Sequence, residues 1–191
     1  MSNEVAESKV TTKVVEALQG FLGDVPPTSE PTSHYPEQRA REIAAAASVQ
    51  AAVVSGTLAM PPGPLGLLTI IPDLVAVWKI QAQMVSDIAG AYGKTGNLSK
   101  EQMLYCLFKH ILAQSMRDIV VRFGERLIVK STTLQVFQKA LQKIGVKLTQ
   151  RLVGKGVARW VPIVGALGVA AYAYYDTGVV SKNAIEFFSS L

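Results

Sequence analysis

Residues 43–72 read IAAAASVQAAVVSGTLAMPPGPLGLLTIIP, thirty consecutive positions without a charge, bounded by Glu42 and Asp73. By count this run is long enough to cross a bilayer, which takes about 20 apolar residues in a helix. Pro61, Pro62, Gly63 and Pro64 interrupt it near the middle and leave a first piece of about eighteen residues, rich in alanine. Ala45, Ala52, Ser55, Gly56 and Ala59 have little bulk, so another helix can approach closely. That occurs both in membrane bundles and in tight soluble ones, and both a weak spanning segment and a buried helix fit. Pro72 and Asp73 read as a fresh helix start, because proline is tolerated in a first turn and an acid there complements the helix dipole. The spacing of Leu74, Val77, Trp78, Gln81, Met84, Val85, Ile88 and Ala89 gives that helix one broad inward face to about Tyr92, with Gly93 as its stop.

Downstream, Ser99 and Gln102 form a capping-box pattern that opens a helix from Lys100 to about Phe123, with Leu104, Leu107, Ile111, Met116 and Ile119 buried and Gly124 as punctuation. Residues 125–153 are the most amphipathic stretch. Phe137, Leu141, Ile144, Leu148 and Leu152 fall within roughly an 80° arc at helical spacing. The run WVPIVGALGVAAYAYY, Trp160 to Tyr175, has sixteen residues and falls short of a span. Gly165, Gly168 and Ala171 at three-residue spacing predict that its helix packs tightly on a neighbour. A helical tail over 177–190 places Val180, Ala184, Phe187 and Phe188 inward.

Upstream, Val10, Val14, Ala17, Leu18 and Phe21 mark an amphipathic helix over residues 4–22. The segment DVPPTSEPTSHYP, residues 24–36, holds four prolines and reads as a linker. The expected organisation is an N-terminal amphipathic helix (1–24), a proline-rich linker (25–36) and a helical domain (37–191). The fold class is all-α: a compact bundle of about five to seven helices with small-residue-rich apolar helices in its core.

Composition agrees with a folded chain. Of 191 residues, 49% are apolar and 17% charged, against about 25% charged in soluble domains, and the mean hydropathy is +0.27. The net charge is +5, but residues 1–60 carry seven acids and four bases while residues 61–191 carry seven acids and fifteen bases. From Lys109 to Arg159 eleven bases face only Asp118 and Glu125. Within this stretch Lys139, Lys143, Lys147, Arg151, Lys155 and Arg159 recur every fourth residue and form a ridge that winds slowly around the helix, suited to an anionic partner. The first residues carry Glu4 and Glu7 and no basic segment followed by an apolar one, so the expected compartment is the cytoplasm. A single cysteine, Cys106, fits a reducing environment.

Catalytic constellations do not assemble. Asp73 and Asp87 are fourteen residues apart, about 21 Å along a helix, too far to share a proton, and Asp73 reads better as a helix-start residue than as a buried proton carrier. Cys106 and His110 share a helical face but find no third group. GTLAMPPGPLG and VGKGV lack the strand-to-helix setting and the Lys-Ser/Thr pair of a phosphate loop. The basic ridge lacks interleaved aromatics, which speaks against nucleic acid. The chain is therefore expected to be non-enzymatic, with no catalytic residue, no cofactor and no metal.

The stretch from Gly56 through PPGPLGLLTIIPDLVAVWKIQAQMVSDIAGAYGK, together with RWVPIVGALGVAAYAYYDTGVVSKNAIEFF, resembles the bacterial EcsC protein family over roughly residues 37–190. The resemblance rests on the small-residue helix before Gly56, the Pro72–Asp73 helix start, the IAGAYG segment Ile88–Gly93 and the PIVG segment Pro162–Gly165. It implies a cytoplasmic or membrane-associated helical protein without an established enzymatic activity, and no catalytic residues to carry over. The Pro61–Pro64 turn, where relatives are usually glycine-rich, and the N-terminal helix with its linker depart from the family pattern. The resulting expectation is a protein on the inner face of a membrane, binding anionic lipid or a membrane protein through the 139–159 ridge. Two alternatives stand beside it: an integral membrane protein with an apolar hairpin, and a soluble adaptor of a transporter complex that docks through the 1–24 helix. Homo-oligomerisation is left open.

Overall fold

A computed structural model describes residues 2–58, 66–112, 120–123, 126–129, 133–154 and 162–191. The described elements are α1 (Ser2–Phe21), α2 (Pro36–Leu58), α3 (Gly66–Ala91), α4 (Lys100–Leu112), the strands β1 (Val120–Phe123) and β2 (Arg126–Val129), α5 (Leu134–Gly154) and α6 (Pro162–Ser189). Among the described residues the architecture is an all-α bundle of six α-helices, with one 3-10 turn at Thr95–Asn97 ahead of α4. A two-stranded antiparallel hairpin, with Val120 opposite Val129, lies between α4 and α5.

α2 packs on α3 and α6, α3 also meets α1 and α4, and α5 joins α1 to α4. One core runs through them. Val10, Val14 and Leu18 of α1, Trp78, Met84, Val85 and Ile88 of α3, and Leu104, Leu107 and Phe108 of α4 belong to it. So do Leu141, Ile144 and Leu148 of α5 and Val180, Ala184, Phe187 and Phe188 of α6. The apolar stripe of α1 is thus occupied by the bundle itself. Trp78 is the aromatic centre, 6.0 Å from Phe21 and 5.8 Å edge-on from Phe108, so three helices converge on one indole.

Local chemistry explains several boundaries. Ser99 and Gln102 form the reciprocal capping box that opens α4: the Gln102 N–H donates to Ser99 Oγ at 3.2 Å and the Ser99 N–H to Gln102 Oε1 at 2.9 Å. α3 closes on Gly93, whose φ of 67° lies in the left-handed region. There the Gly93 N–H donates to the Gly90 carbonyl and the Lys94 N–H to that of Ala89, both at 2.8 Å, which is the bonding of a Schellman end. The segment between α1 and α2 lies across this end of α3. The Ser33 N–H donates to the Ala91 carbonyl at 3.0 Å, Thr28 Oγ1 to Asp87 Oδ1 at 2.5 Å and Gln83 Nε2 to the Pro27 carbonyl at 3.0 Å.

Three expectations are corrected. α3 begins at Gly66, so Pro72 stands inside the helix and Asp73 is not a helix-start residue. Pro72 is exposed, and because proline has no N–H, α3 forgoes one intrahelical hydrogen bond there. The helix opened by the capping box ends at Leu112, and Val120–Phe123 and Arg126–Val129 pair as strands, as suits segments with β-branched Val120, Val121, Ile128 and Val129. Met116, Ile119 and Gly124 lie outside the described residues. Finally, of the stripe Gly165, Gly168 and Ala171, the surroundings of Gly165 lie outside what is described, and Gly168 and Ala171 are exposed, with nothing within 4 Å of a Cβ built on Gly168. The packed side of α6 carries Ala173 instead, against Ala51 of α2 and Val77 of α3, about 160–200° around the helix from Ala171 and Tyr175.

Candidate functional site

α5 has no acid in its sequence, and its exposed side carries Lys139, Lys143 and Lys147 among Gln138, Gln142 and Gln150. Among the described residues no carboxylate lies within ion-pair distance of these three lysines. Lys147 Nζ donates to the Ile111 carbonyl at 3.4 Å, at the C-terminal end of α4 where a helix dipole favours a cation. Leu141, Ile144 and Leu148 are buried and Phe137 is half-buried, so the apolar side of α5 packs inward on the core. The structure therefore presents Lys139, Lys143 and Lys147 together. Arg151 lies on the same helix with its side chain outside the described residues, as Lys155 and Arg159 are altogether.

A second grouping was not anticipated. Gln81 of α3, buried in the helix interface, donates through Nε2 to Asp176 Oδ2 at 2.9 Å and to Thr177 Oγ1 at 3.2 Å, both on α6. The other Asp176 oxygen lies 3.0 Å from His110 Nε2 of α4, and His110 Nδ1 is buried without a partner. One carboxylate thus ties three helices together. The signal was present in the sequence: Gln81 falls on the apolar face of its helix, and a buried amide requires a partner.

Cys106 is one turn from His110 but fully buried, and burial pushes its thiol far above the usual range, so no thiolate is held ready there. Asp73 sits between α2 and α3, where Ser55 Oγ donates to Oδ2 at 3.2 Å while Oδ1 is buried without a partner. Desolvation raises the Asp73 carboxyl above its ordinary value, with the Ser55 bond opposing. Among the described residues no three His, Cys, Asp or Glu side chains gather as metal ligands, and no helix is long and apolar enough to cross a membrane.

No family model, curated protein or solved structure matches the chain.

Proposed function

We propose that the chain is a non-enzymatic, EcsC-like helical protein that associates peripherally with the inner face of a membrane and binds its anionic surface through the basic side of α5. The observation that carries this reading is the row Lys139, Lys143 and Lys147, exposed at four-residue spacing with no carboxylate in ion-pair reach among the described residues. Because Leu141, Ile144 and Leu148 of α5 are committed to the core, and of its described apolar residues Leu134 and Val146 are exposed, the lysines carry its part in binding. Each lysine near an anionic surface contributes about 1 kcal/mol, and the attraction decays over a Debye length. Arg151, Lys155 and Arg159 extend the same cationic run in sequence.

Flotation with phosphatidylcholine vesicles, with and without phosphatidylserine, tests the proposal. The wild-type chain floats only with the anionic lipid, and less so as salt rises. Lys139→Glu, Lys143→Glu and Lys147→Glu together abolish flotation. Equal recovery of wild type and variant removes the ridge from the mechanism.

A further inference from the structure

Ala51 of α2 meets Val77 of α3, and Ser55 further along α2 reaches back to Asp73, so the two helices run antiparallel. The same register brings the first turns of α2 towards Asp87, where the segment between α1 and α2 crosses α3. Here the two helices leave a hollow of about 240 Å³ between them. Ala46 and Ala47 account for it: beside the longer Ile80 and Met84 their side chains end at Cβ, short of filling the gap. Together with Ile43 these four make an apolar floor. Ala47 and Met84 are buried, whereas Ala46 is exposed at the mouth.

Charge stands at one end of this floor, where Glu30, Arg39, Glu42 and Asp87 line the hollow. Arg39 is already engaged. It bonds both Glu30 oxygens, at 2.7 and 3.0 Å, and Glu42 Oε2 at 3.1 Å. Asp87 has no such partner: its Oδ1 accepts from Thr28 Oγ1 at 2.5 Å and from Gln83 Nε2 at 2.9 Å, both neutral donors, and Oδ2 takes neither bond. Among the described residues no cation lies within ion-pair distance of it. Three carboxylates against one guanidinium leave the rim with a formal excess of two negative charges.

We infer that the hollow between α2 and α3 binds a small primary amine, with the ammonium on Asp87 and the apolar body along Ile43, Ala46, Ala47, Ile80 and Met84. Charge complementarity selects a cation, because an anion would meet the excess acids and a neutral ligand would leave Asp87 uncompensated. A primary ammonium brings three N–H donors to a rim rich in acceptors. A quaternary ammonium brings none and is held by aromatic faces, of which the described lining offers none. A metal ion needs several oxygens converging on one point, and among the described residues no three His, Cys, Asp or Glu side chains gather in that way. Size sets the class of amine. The hollow falls below the about 300–1,000 Å³ of sites for drug-sized ligands and has room for about eight water-sized groups at about 30 Å³ each. From Asp87 back to Ile80 α3 rises about 10 Å, so a chain of several carbons lies along the floor with its charge at the acidic end. The elements involved are α2, α3 and the crossing segment, so the inference stands apart from the α5 lysines.

Titration with n-hexylamine at neutral pH, read from ¹³C-labelled methionine methyl groups, tests this, because Met84 is part of the floor. The Met84 resonance, identified by its loss in Met84→Leu, should move and saturate with a Kd on the order of 1 mM. Hexanol and hexanoate should bind roughly tenfold more weakly or not at all. Asp87→Asn should weaken the amine by roughly tenfold, while its side-chain oxygen still accepts from Thr28 and Gln83. Ala46→Leu fills the hollow from an exposed position and should abolish the response with the melting temperature near that of the wild type. Hexanol binding as well as hexylamine shows that charge plays no part and overturns the inference, as does a folded Asp87→Asn variant that binds like wild type. A response that survives Ala46→Leu places the amine elsewhere and also overturns it. So does a Met84 signal that stays still at ten times the expected Kd. Should Asp87→Asn fail to fold, the comparison with hexanol and the Ala46→Leu variant still decide the outcome.

Discussion

The backbone of Glu30 crosses α3 so near Gly90 that a Cβ on that glycine would lie 2.7 Å from the Glu30 carbonyl oxygen. The crossing is held from both sides. Arg39 grips Glu30 with two charge-assisted bonds, 2.7 Å to Oε1 and 3.0 Å to Oε2, which lower the Glu30 carboxyl below its usual range. Thr32 lies over Gly93, the next glycine of the same segment. The proline-rich stretch is thus part of the fold at this point, and the glycines of IAGAYG are where it passes.

Gly90→Ala should destabilise the protein, by about 1–3 kcal/mol, because the obstructing atom is backbone and cannot rotate away. The sign is diagnostic. In an uncrowded helix the same change stabilises by up to about 1 kcal/mol. Chemical denaturation of wild type and variant decides it, and a more stable variant would place the linker away from α3.

A similar close approach joins α1 to α5. A Cβ on Gly145 would overlap the Cγ2 methyl of Val15. Gly145→Ala should cost about 1–2 kcal/mol, and Val15→Ala in the same chain should recover much of that loss, since it removes the methyl in the way. A double-mutant cycle measures this as a coupling between the two sites. Independent, additive effects would mean that α1 does not lie against α5.

Asp176 should be the costliest polar residue to remove from the α3, α4 and α6 interface. Asp176→Ala takes an acceptor from Gln81, which keeps only Thr177, and leaves His110 with both ring nitrogens unmatched. A loss of about 2–3 kcal/mol follows from stranding buried polar groups. Gln81→Leu in the same background should restore part of it by removing one of the stranded groups. Thermal unfolding of the single and double variants tests the order.

Residues whose role is local were legible in the sequence. The Ser99–Gln102 box, the Gly93 stop and the inward positions of α1, α3, α5 and the α6 tail all follow from spacing, because helix periodicity and caps are written within a few residues. What failed depends on neighbours distant in the chain. Pro72 reads as a helix start when only its own residue type is weighed, but the apolar run before it carries the helix back to Gly66. Gly168 and Ala171 read as a packing stripe, yet α2 and α3 meet α6 on the side of Ala173. Small size permits close approach on either side of a helix and does not select one. The site divides in the same way: the lysine spacing on α5 is visible in the sequence, whereas the Gln81–Asp176–His110 contact joins residues 66 to 95 positions apart.

Asp73 gives the fold a pH dependence of known sign. Burial raises its carboxyl in the folded chain above the ordinary 3.8, so the folded state holds this proton more tightly than the unfolded one. Below the ordinary value both states are protonated and Asp73 costs nothing. As pH rises, the unfolded chain ionises first and is favoured, and the stability lost this way accumulates until the pH passes the raised folded value. Asp73→Asn removes the charge while its side-chain oxygen still accepts from Ser55 Oγ. Relative to this variant the wild type should therefore lose stability progressively from about pH 4 upward, and the difference should level off once the folded carboxyl has ionised. Urea unfolding of both proteins between acid and neutral pH reads the slope directly. Parallel curves would show that Asp73 is as well solvated in the folded chain as in the unfolded one, and would remove it from the interface between α2 and α3.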